Sequence, residues 1–279
     1  MDMYVRCPKS YYFRYIENLK ADITSTPLLY GVAMDSALNY ILEAMKDKKE
    51  YSVDEAKSIF LNNMEAWNHQ NRLDFFKSEV PEDIKDIVDE ADPDHQEAVW
   101  DLIVQRGMNS IEVYVKEIVP QIDEVLVLQE KKVITNADGH EFVFILDFIA
   151  RMKDGRIVLM DNKTASARYS KNSVKDSQQL SLYLDQYPEI EYAGYAVLIK
   201  NPAKERGVTY QLIIDKIPEE TTAESYEKLD DTLKKIANEE FPCYPKGCGA
   251  FGKRCAYENY CKYGIKEGLV PAYEKKDKK

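Results

Sequence analysis

The chain has 279 residues, of which 44% are hydrophobic and 31% are charged. This balance excludes a fully disordered chain and leaves enough apolar side chains for a substantial buried core. There are 38 basic and 49 acidic residues, so the formal net charge is −11, which argues against a protein that grips nucleic acid with its whole surface. A local basic path beside a concentrated acidic site remains compatible with this charge.

The sequence contains no run of about 18 consecutive apolar residues, and residues 1–20 lack the apolar segment of a signal peptide. We therefore expect a cytoplasmic protein that makes no use of a membrane. In a reducing compartment, the five cysteines are predicted to be metal ligands or free thiols rather than disulfides. Cys7 stands alone, and the other four crowd together near the C-terminus: Cys243, Cys248, Cys255 and Cys261.

The first half of the chain is predicted to be mainly helical. Apolar residues recur at helical spacing in three segments, 31–45, 53–66 and 96–118. An acidic stretch at residues 81–94 is predicted to be a loop or a solvated helix. Before the first helix, an aromatic segment at residues 11–15 is expected to pack around the clustered cysteines, with stacking on nucleic-acid bases as the alternative.

From residue 124 the pattern changes to alternating strands and helices. Predicted strands cover 124–134, 142–152, 156–161, 190–200 and 208–214, with turns at 136–139 and 154–155. Predicted helices cover 174–187 and 221–237. The order of elements predicts an α/β fold with a mixed central sheet flanked by helices, because a strand, a helix and a further strand form a βαβ unit.

We expect a single domain over residues 1–279. Its predicted parts are an N-terminal Cys and aromatic segment (1–27), a helical region (28–118), an α/β core (124–238), a cysteine segment (240–263) and a tail (264–279).

Two carboxylates and a lysine form the sharpest pattern in the sequence. Asp147 lies on the second predicted strand and Asp161 ends the third, and a hairpin brings neighbouring strands to within about 5 Å. Paired carboxylates are hard oxygen ligands for Mg²⁺ or Mn²⁺, which polarises a phosphate and lowers the pKa of a bound water. Lys163 follows Asp161 by two residues and so points to the same face of a continuing strand. There its ammonium could orient the attacking water or stabilise the transition state.

A second interpretation of these residues is purely structural. Asp161 could cap the following turn, and Lys163 could be a surface residue. The context favours a site, because Asp161 directly follows the apolar run 157–160 and another Asp lies on the preceding strand.

The arrangement resembles the PD-(D/E)XK nuclease superfamily, and more closely its RecB-like exonuclease branch. That branch has an apolar strand ending in Asp, matched by ILD at 145–147, and a second ending in D-x-K-T, matched by LMDNKT at 159–164. Its Q-x-x-x-Y motif is matched by QLSLY at 179–183. Spacing of four puts Gln179 and Tyr183 on one helical face, which in the family borders the metal site and the DNA strand.

The resemblance implies further site residues. The metal would be held by Asp147, Asp161 and the main-chain carbonyl of Asn162. The family helix with G-x-x-x-H is matched by Gly31 to Asp35, where Asp replaces the metal-ligating His; Asp35 is a candidate ligand, with an ordinary helix carboxylate as the alternative. Glu130 matches a commonly acidic family position and is a further candidate.

One branch of the RecB-like nucleases, which the chain resembles, carries a [4Fe–4S] cluster held by one N-terminal and three C-terminal cysteines. The matching residues here are Cys7, Cys248, Cys255 and Cys261, although the Cys248–Cys255 gap is wider than in several members. Cys243 is then a spare that could replace Cys248. A structural Zn²⁺ site and five free thiols are the alternatives.

The resemblance implies a restriction-endonuclease-like core and a Mg²⁺- or Mn²⁺-dependent DNA exonuclease, acting on single strands or DNA ends in repair, recombination or phage DNA processing. If the protein is phage-encoded, it would act in the host cytoplasm. The sequence has no G-x-x-x-x-G-K-[ST] motif, so any unwinding would come from a helicase or recombination partner. An oligomer is compatible with the sequence, and a non-catalytic DNA-end-binding scaffold is the alternative function.

Six basic residues lie around the proposed site in the sequence. They predict either a positively charged path for DNA or, equally, a solvated face: Lys131, Lys132, Arg151, Arg168, Lys171 and Lys175.

Overall fold

In a computed structural model of the chain, the structure describes residues 2–70, 72–74, 92–135, 138–200, 207–252 and 255–273. The predicted acidic loop at 81–94 lies outside the described residues except for its last three. The chain divides into two compact units. One combines both ends of the chain, residues 1–24 and 226–279, and the other covers 25–225. The prediction of a single domain over 1–279 stays a prediction.

The helices are α1 (Asp2–Arg6), α2 (Pro8–Tyr11), α3 (Thr26–Lys46), α4 (Val53–Gln70), α5 (Pro93–Val113), α6 (Gln178–Leu184), α7 (Glu219–Ala237) and α8 (Glu258–Tyr263). The strands are β1 (Leu19–Ala21), β2 (Ile23–Ser25), β3 (Arg72–Asp74), β4 (Ile122–Thr135), β5 (Glu141–Met152), β6 (Ile157–Ala165), β7 (Tyr192–Ile199), β8 (Thr209–Asp215) and β9 (Leu269–Pro271). Short π-helical turns cover Tyr12–Ile16 and Tyr114–Ile118, and 3₁₀ turns cover Val119–Gln121 and Pro245–Gly252.

A five-stranded sheet in the order β4-β5-β6-β7-β8 forms the centre of the larger unit. All neighbouring strands are antiparallel except β6 and β7, which are parallel and joined through α6. The predicted α/β fold with a mixed sheet and a βαβ unit is therefore confirmed. None of the described helices combines the length and the apolar character that a membrane span requires.

Both faces of the sheet are covered by apolar packing. On one face, α3, α4 and α5 contribute to a core that includes Val158 and Met160 of β6. On the other face, α6 contributes to a second core that includes Leu159. Successive residues of β6 thus alternate between the two cores, as the two-residue period of a strand requires. Asp161 continues the alternation on the α6 side.

The long predicted elements are present with small shifts at their ends, but the predicted helix at 174–187 is wrong in its length. Ser177 caps α6, because its hydroxyl accepts a hydrogen bond from the Leu180 N–H at 3.1 Å, and the helix therefore begins at Gln178. Pro188 disfavours helical backbone at the residue before it, so α6 ends at Leu184.

In the smaller unit, segments from both ends of the chain pack together. Strands β1 and β9 pair antiparallel, and the ring of Phe13 lies 4.8 Å from that of Tyr260. Phe13 is buried, and the ring of Tyr11 stacks on Phe241 at 6.2 Å. These two residues of the aromatic segment thus make ring contacts within the unit, and the choice between packing at the cysteines and base stacking stays a prediction.

Two helix glycines give a matched test of the packing. A Cβ at Gly107 in α5 would lie 2.0 Å from the ring of Phe60, which is fully buried, whereas a Cβ at Gly31 in α3 would find its nearest atom, Thr164 Oγ1, at 4.0 Å. We expect Gly107→Ala to lower the free energy of unfolding by about 1–3 kcal/mol through overpacking. Gly31→Ala should leave it unchanged or raise it by roughly 0.5–1 kcal/mol. Denaturant unfolding measures both, and equal effects would contradict the described packing.

Candidate active site

The site begins where two neighbouring strands separate. Strands β5 and β6 are paired from Phe148 with Met160 to Arg151 with Ile157. Beyond Met160, β6 continues to pair with β7 as far as Ala165 but no longer with β5. Asp147 and Asp161 are the next residues on the two separating strands, so the predicted pair lies at the point of divergence.

The carboxylate of Asp147 takes over a main-chain hydrogen bond at this point. Its Oδ2 accepts the N–H of Asn162 at 2.8 Å. Because β5 has separated from β6 here, the Asn162 N–H has no main-chain acceptor on β5. The Asp147 side chain accepts its hydrogen bond instead. This contact ties the two strands together across the gap and fixes Asp147 beside Asp161.

Lys163 and the α6 helix hold Asp161 from the other side. Lys163 Nζ lies 2.5 Å from Asp161 Oδ2, and Gln179 Nε2 donates to Asp161 Oδ1 at 3.1 Å. The same Gln179 nitrogen lies 3.3 Å from the Tyr183 hydroxyl, and Gln179 Oε1 lies 3.4 Å from Lys163 Nζ. The structure thus brings together Asp147, Asp161, Lys163, Gln179 and Tyr183, five residues that the sequence motifs predicted.

Asp35 approaches the same group from α3. Its Oδ2 accepts a hydrogen bond from Asn39 Nδ2 at 3.1 Å. A cavity of about 200 Å³ opens beside it, between α3 and the end of β6. The cavity lining includes Asp35, Asn162, Lys163 and Thr164. Asp35 therefore lines a cavity that it shares with Lys163, and its role as a metal ligand stays a prediction.

The electrostatics of the pair reflect burial of like charges. Burial, together with the charges of Asp161 and Asp35, raises the pKa of Asp147 to about 7. Burial also raises the pKa of Asp161, although Lys163 and Gln179 oppose this shift. The pKa of Asp35 is raised, mainly by burial and also by Asp161. For Lys163, burial alone would lower the pKa, but the charges of Asp161 and Asp147 raise it above the ordinary value, so the ammonium stays protonated.

The donor set of the pair suits a hard divalent cation. Carboxylate and carbonyl oxygens are the preferred ligands of Mg²⁺, and a cation would relieve the repulsion that Lys163 now offsets. Within the described ranges, no group of three or more His, Cys, Asp or Glu side chains is arranged to hold a metal ion. The oxygen donors that the structure brings together here are the carboxylates of Asp147 and Asp161, with Asp35 lining the adjoining cavity, and the Asn162 main-chain oxygen as a ligand stays a prediction.

Glu130 takes part in a different contact. Its carboxylate accepts a hydrogen bond from the Tyr187 hydroxyl at 2.6 Å, just beyond the end of α6. Lys132 Nζ lies 3.7 Å from the centre of the Tyr187 ring. Glu130 thus anchors the segment that follows α6, and its role as a metal ligand stays a prediction.

Several residues of the predicted basic path interact with neighbouring side chains of the protein. Lys132 covers the Tyr187 ring, Arg151 lies 3.8 Å from Glu124, and Lys175 lies 3.2 Å from Asp215. These contacts hold three of the six predicted side chains in local interactions. The choice between a basic path and a solvated face stays a prediction.

The cysteines gather in the smaller unit. Cys243 Sγ lies 3.7 Å from Cys261 Sγ, and the Tyr244 N–H donates to Cys7 Sγ at 3.5 Å. The N–H of Cys255 donates to the carbonyl of Cys248 at 2.8 Å. The predicted spare cysteine, Cys243, thus lies among the predicted ligands rather than apart from them.

Burial raises the pKa of the Cys7 thiol, but hydrogen bonds from the backbone of Tyr244, Ser10 and Lys9 outweigh it and leave the pKa below its ordinary value. A lowered pKa favours the thiolate, which is the form that binds metals. The four predicted ligands do not form a ready-made metal cage in the described structure.

Sequence reasoning missed several residues that support the site. Ser177 Oγ and the Tyr195 hydroxyl lie 2.7 Å apart at the start of α6, and the ring of Phe144 stacks on Tyr183 at 4.4 Å. Tyr114 is fully buried behind Asn162. Only the serine has a sequence signal, as a helix cap; the aromatic contacts join residues distant along the chain.

The raised pKa of Asp147 predicts a pH-dependent stability in metal-free protein. A raised carboxyl pKa means that the folded state keeps a proton that the unfolded state releases above about pH 4, so stability falls as the pH rises from about 4 to 7. Asp147→Asn removes this loss. In EDTA, the variant should gain about 1–3 kcal/mol over the wild type at pH 8 and nothing near pH 3.

Thermal melts across this pH range measure the difference. Asp154→Asn is the control, since Asp154 is exposed and its pKa is lowered by Arg156, so its effect should run in the opposite direction. A gain for Asp147→Asn that does not change with pH would contradict the described burial.

Comparisons with known proteins bear on the family of the chain. No curated protein matches its sequence. One similar solved structure is titled "Crystal structure of SSO0001"; it is 16% identical, covers 62% of this chain and 78% of its own, and has a TM-score of 0.33. A family model of the PD-(D/E)XK nuclease superfamily matches residues 1–262, and the α/β fold with its five-stranded mixed sheet is consistent with the restriction-endonuclease-like fold of that superfamily. The chain belongs to the PD-(D/E)XK nuclease superfamily.

Proposed function

We propose that the protein is a Mg²⁺- or Mn²⁺-dependent DNA exonuclease of the RecB-like branch. The observation that carries the proposal is the convergence of Asp147, Asp161 and Lys163 where β5 and β6 separate. A DNA-binding protein of the same fold without catalytic activity would not need these three side chains in one place. Their convergence in a chain of this superfamily therefore supports cleavage of phosphodiester bonds.

Each residue of the site has a separate task in this proposal. When bound, the divalent cation supplies Lewis-acid polarisation of the scissile phosphate and acidifies water. Asp147, Asp161 and the Asn162 carbonyl hold the cation, and Asp35 contributes from α3. Gln179 keeps Asp161 oriented through the hydrogen bond at 3.1 Å.

Lys163 supplies the positive charge of the proposed reaction. Its ammonium is held protonated by Asp161 and Asp147, and it lines the cavity beside the pair. From there it can orient the attacking water and stabilise the charge that develops on the phosphate oxygens. Gln179 and Tyr183 lie on the face of α6 toward the site, where they can position the DNA strand.

The substrate of the proposed enzyme is a single strand or a DNA end in the cytoplasm, or in the host cytoplasm for a phage protein. Duplex unwinding requires a helicase or recombination partner, because the sequence has no P-loop motif. The protein would act in repair, recombination or phage DNA processing, alone or as an oligomer.

We further propose a [4Fe–4S] cluster bound by Cys7, Cys248, Cys255 and Cys261. The support is that these cysteines come from both ends of the chain and lie in one compact unit. Hydrogen bonds lower the pKa of the Cys7 thiol, a shift in the direction that favours the thiolate. Such a cluster would join the two ends and restrict the unfolded chain. Cys243 as a replacement for Cys248, and structural Zn²⁺, are the alternatives that experiment must separate.

Substitution of Lys163 tests the nuclease. We expect Lys163→Ala and Asp161→Asn each to lower Mn²⁺-dependent degradation of end-labelled DNA by about 100-fold or more, because each removes a charge aimed at the reacting phosphate or its cation. Lys153→Ala is the control, since Lys153 is exposed and pairs with Asp123 at 2.7 Å on a surface turn. The position of the label gives the polarity of digestion. Intact DNA after incubation with folded wild type and metal would contradict the nuclease and favour DNA-end binding.

A cysteine pair tests the cluster. Wild type purified without oxygen should be brown and contain iron and sulfide. Cys248→Ser should lose both, while Cys243→Ser should keep them, as visible absorption and metal analysis will show. The reverse pattern would make Cys243 the ligand, and a colourless protein that contains zinc would replace the cluster with the Zn²⁺ site.

A further inference from the structure

Tyr114 carries a buried hydroxyl that the proposed mechanism does not use. The residue is fully buried, and its hydroxyl oxygen has no hydrogen-bond partner among the described residues. An unpaired buried hydroxyl destabilises a fold, and a phenylalanine would fill the same space without that cost. A buried hydroxyl without a partner in a native fold therefore suggests a functional role or a bound water.

Asn162 shows the same feature on the neighbouring strand. Its side-chain Nδ2 and Oδ1 are both buried and, within the described structure, both lack an aligned hydrogen bond. Asn162 alternates with Asp161 and Lys163 along β6, so its side chain lies on the opposite face of the sheet, with Val158 and Met160. Tyr114 belongs to the core on that face.

The two buried groups act on each other. Burial raises the pKa of the Tyr114 hydroxyl, the Asn162 amide lowers it in part, and the charge of Asp147 raises it further. The amide and the hydroxyl are therefore close neighbours, although their geometry is not that of an aligned hydrogen bond. A hydrogen bond between the hydroxyl and the amide would satisfy both groups.

The backbone at Tyr114 is also unusual. Tyr114 begins a π-helical turn, Tyr114–Ile118, that directly follows α5. A π turn inserts an extra residue per turn and shifts the side chains that follow, and such turns are frequent at functional sites. Here the turn begins at Tyr114, whose hydroxyl lies near the Asn162 amide.

We propose that Tyr114 is a positioning residue that holds the Asn162 side chain, and through it the Asn162 main-chain carbonyl, in the orientation that binds the divalent cation. Asp147 already fixes the N–H of Asn162 at 2.8 Å. A second contact, at the side chain, would restrict the motion of the residue whose main-chain carbonyl the proposed function assigns to the cation. The inference rests on the proposed function, because the carbonyl is a ligand only if the site binds a metal.

The test compares Tyr114→Phe with Tyr30→Phe. Tyr30 is also fully buried in the same core, but its hydroxyl lies 2.9 Å from Ser110 Oγ in a formed hydrogen bond. Binding of Mn²⁺ to each DNA-free protein is measured by the electron paramagnetic resonance of free Mn²⁺, and melting temperatures are recorded in EDTA. We expect Tyr114→Phe to weaken Mn²⁺ binding about tenfold without a lower melting temperature. Tyr30→Phe should lower the melting temperature and leave Mn²⁺ binding unchanged.

Two results would overturn the inference and can be told apart. If Tyr114→Phe binds Mn²⁺ as tightly as the wild type, while the wild type binds Mn²⁺ and degrades DNA, the positioning role is wrong and the proposed function stands. If the wild type binds no Mn²⁺ and degrades no DNA, the proposed function fails, and the inference fails with it.

Discussion

The close placement of two carboxylates, the buried Asp161 and the half-buried Asp147, is the constraint on which the rest of the site depends. Withdrawing one carboxylate from water is unfavourable, and placing a second beside it adds repulsion. The structure offsets this with one charge and two directed hydrogen bonds, from Lys163, the Asn162 N–H and Gln179. Such a pair persists only if the surrounding elements are fixed tightly enough to keep these donors in place.

The sheet and its two cores provide that support. Strand β6 is paired with β7 from Val158 to its last residue, Ala165, so its end stays in place after β5 has separated. Apolar side chains of β6 pack alternately into the two cores, so the strand is held on both faces of the sheet. Helix α6 is fixed at one end by Ser177 and beyond the other by the contact between Tyr187 and Glu130. The site is thus built on regular elements rather than on loops, which keeps its geometry rigid.

Much of this arrangement could be predicted from the sequence, because it depends on local pattern. The apolar run before Asp161 predicts a buried strand, and the period of two then places Lys163 beside it. Spacing of four similarly pairs Gln179 with Tyr183. The resemblance to the family predicted that these separate motifs form one site. In the structure, their side chains lie together.

The remaining features depend on contacts between distant segments, which a single sequence does not record. The partner of Glu130 lies 57 residues away, and no periodicity links it to Tyr187. The proximity of Cys243 to Cys261 depends on how the turns between them fold, so spacing alone could not place these two thiols side by side. Tyr114 looks like an ordinary core residue in the sequence, and only its position behind Asn162 distinguishes it. The short span of α6 was missed because the cap at Ser177 competed with a longer apolar pattern.

The most direct test of the metal site is a crystal structure of the protein soaked in Mn²⁺, with anomalous diffraction used to locate the ion. The account predicts an anomalous peak between the carboxylates of Asp147 and Asp161, in contact with the Asn162 carbonyl and with Lys163 displaced from Asp161. A fully occupied Mn²⁺ elsewhere, or none at the pair while both carboxylates are ordered, would contradict the account.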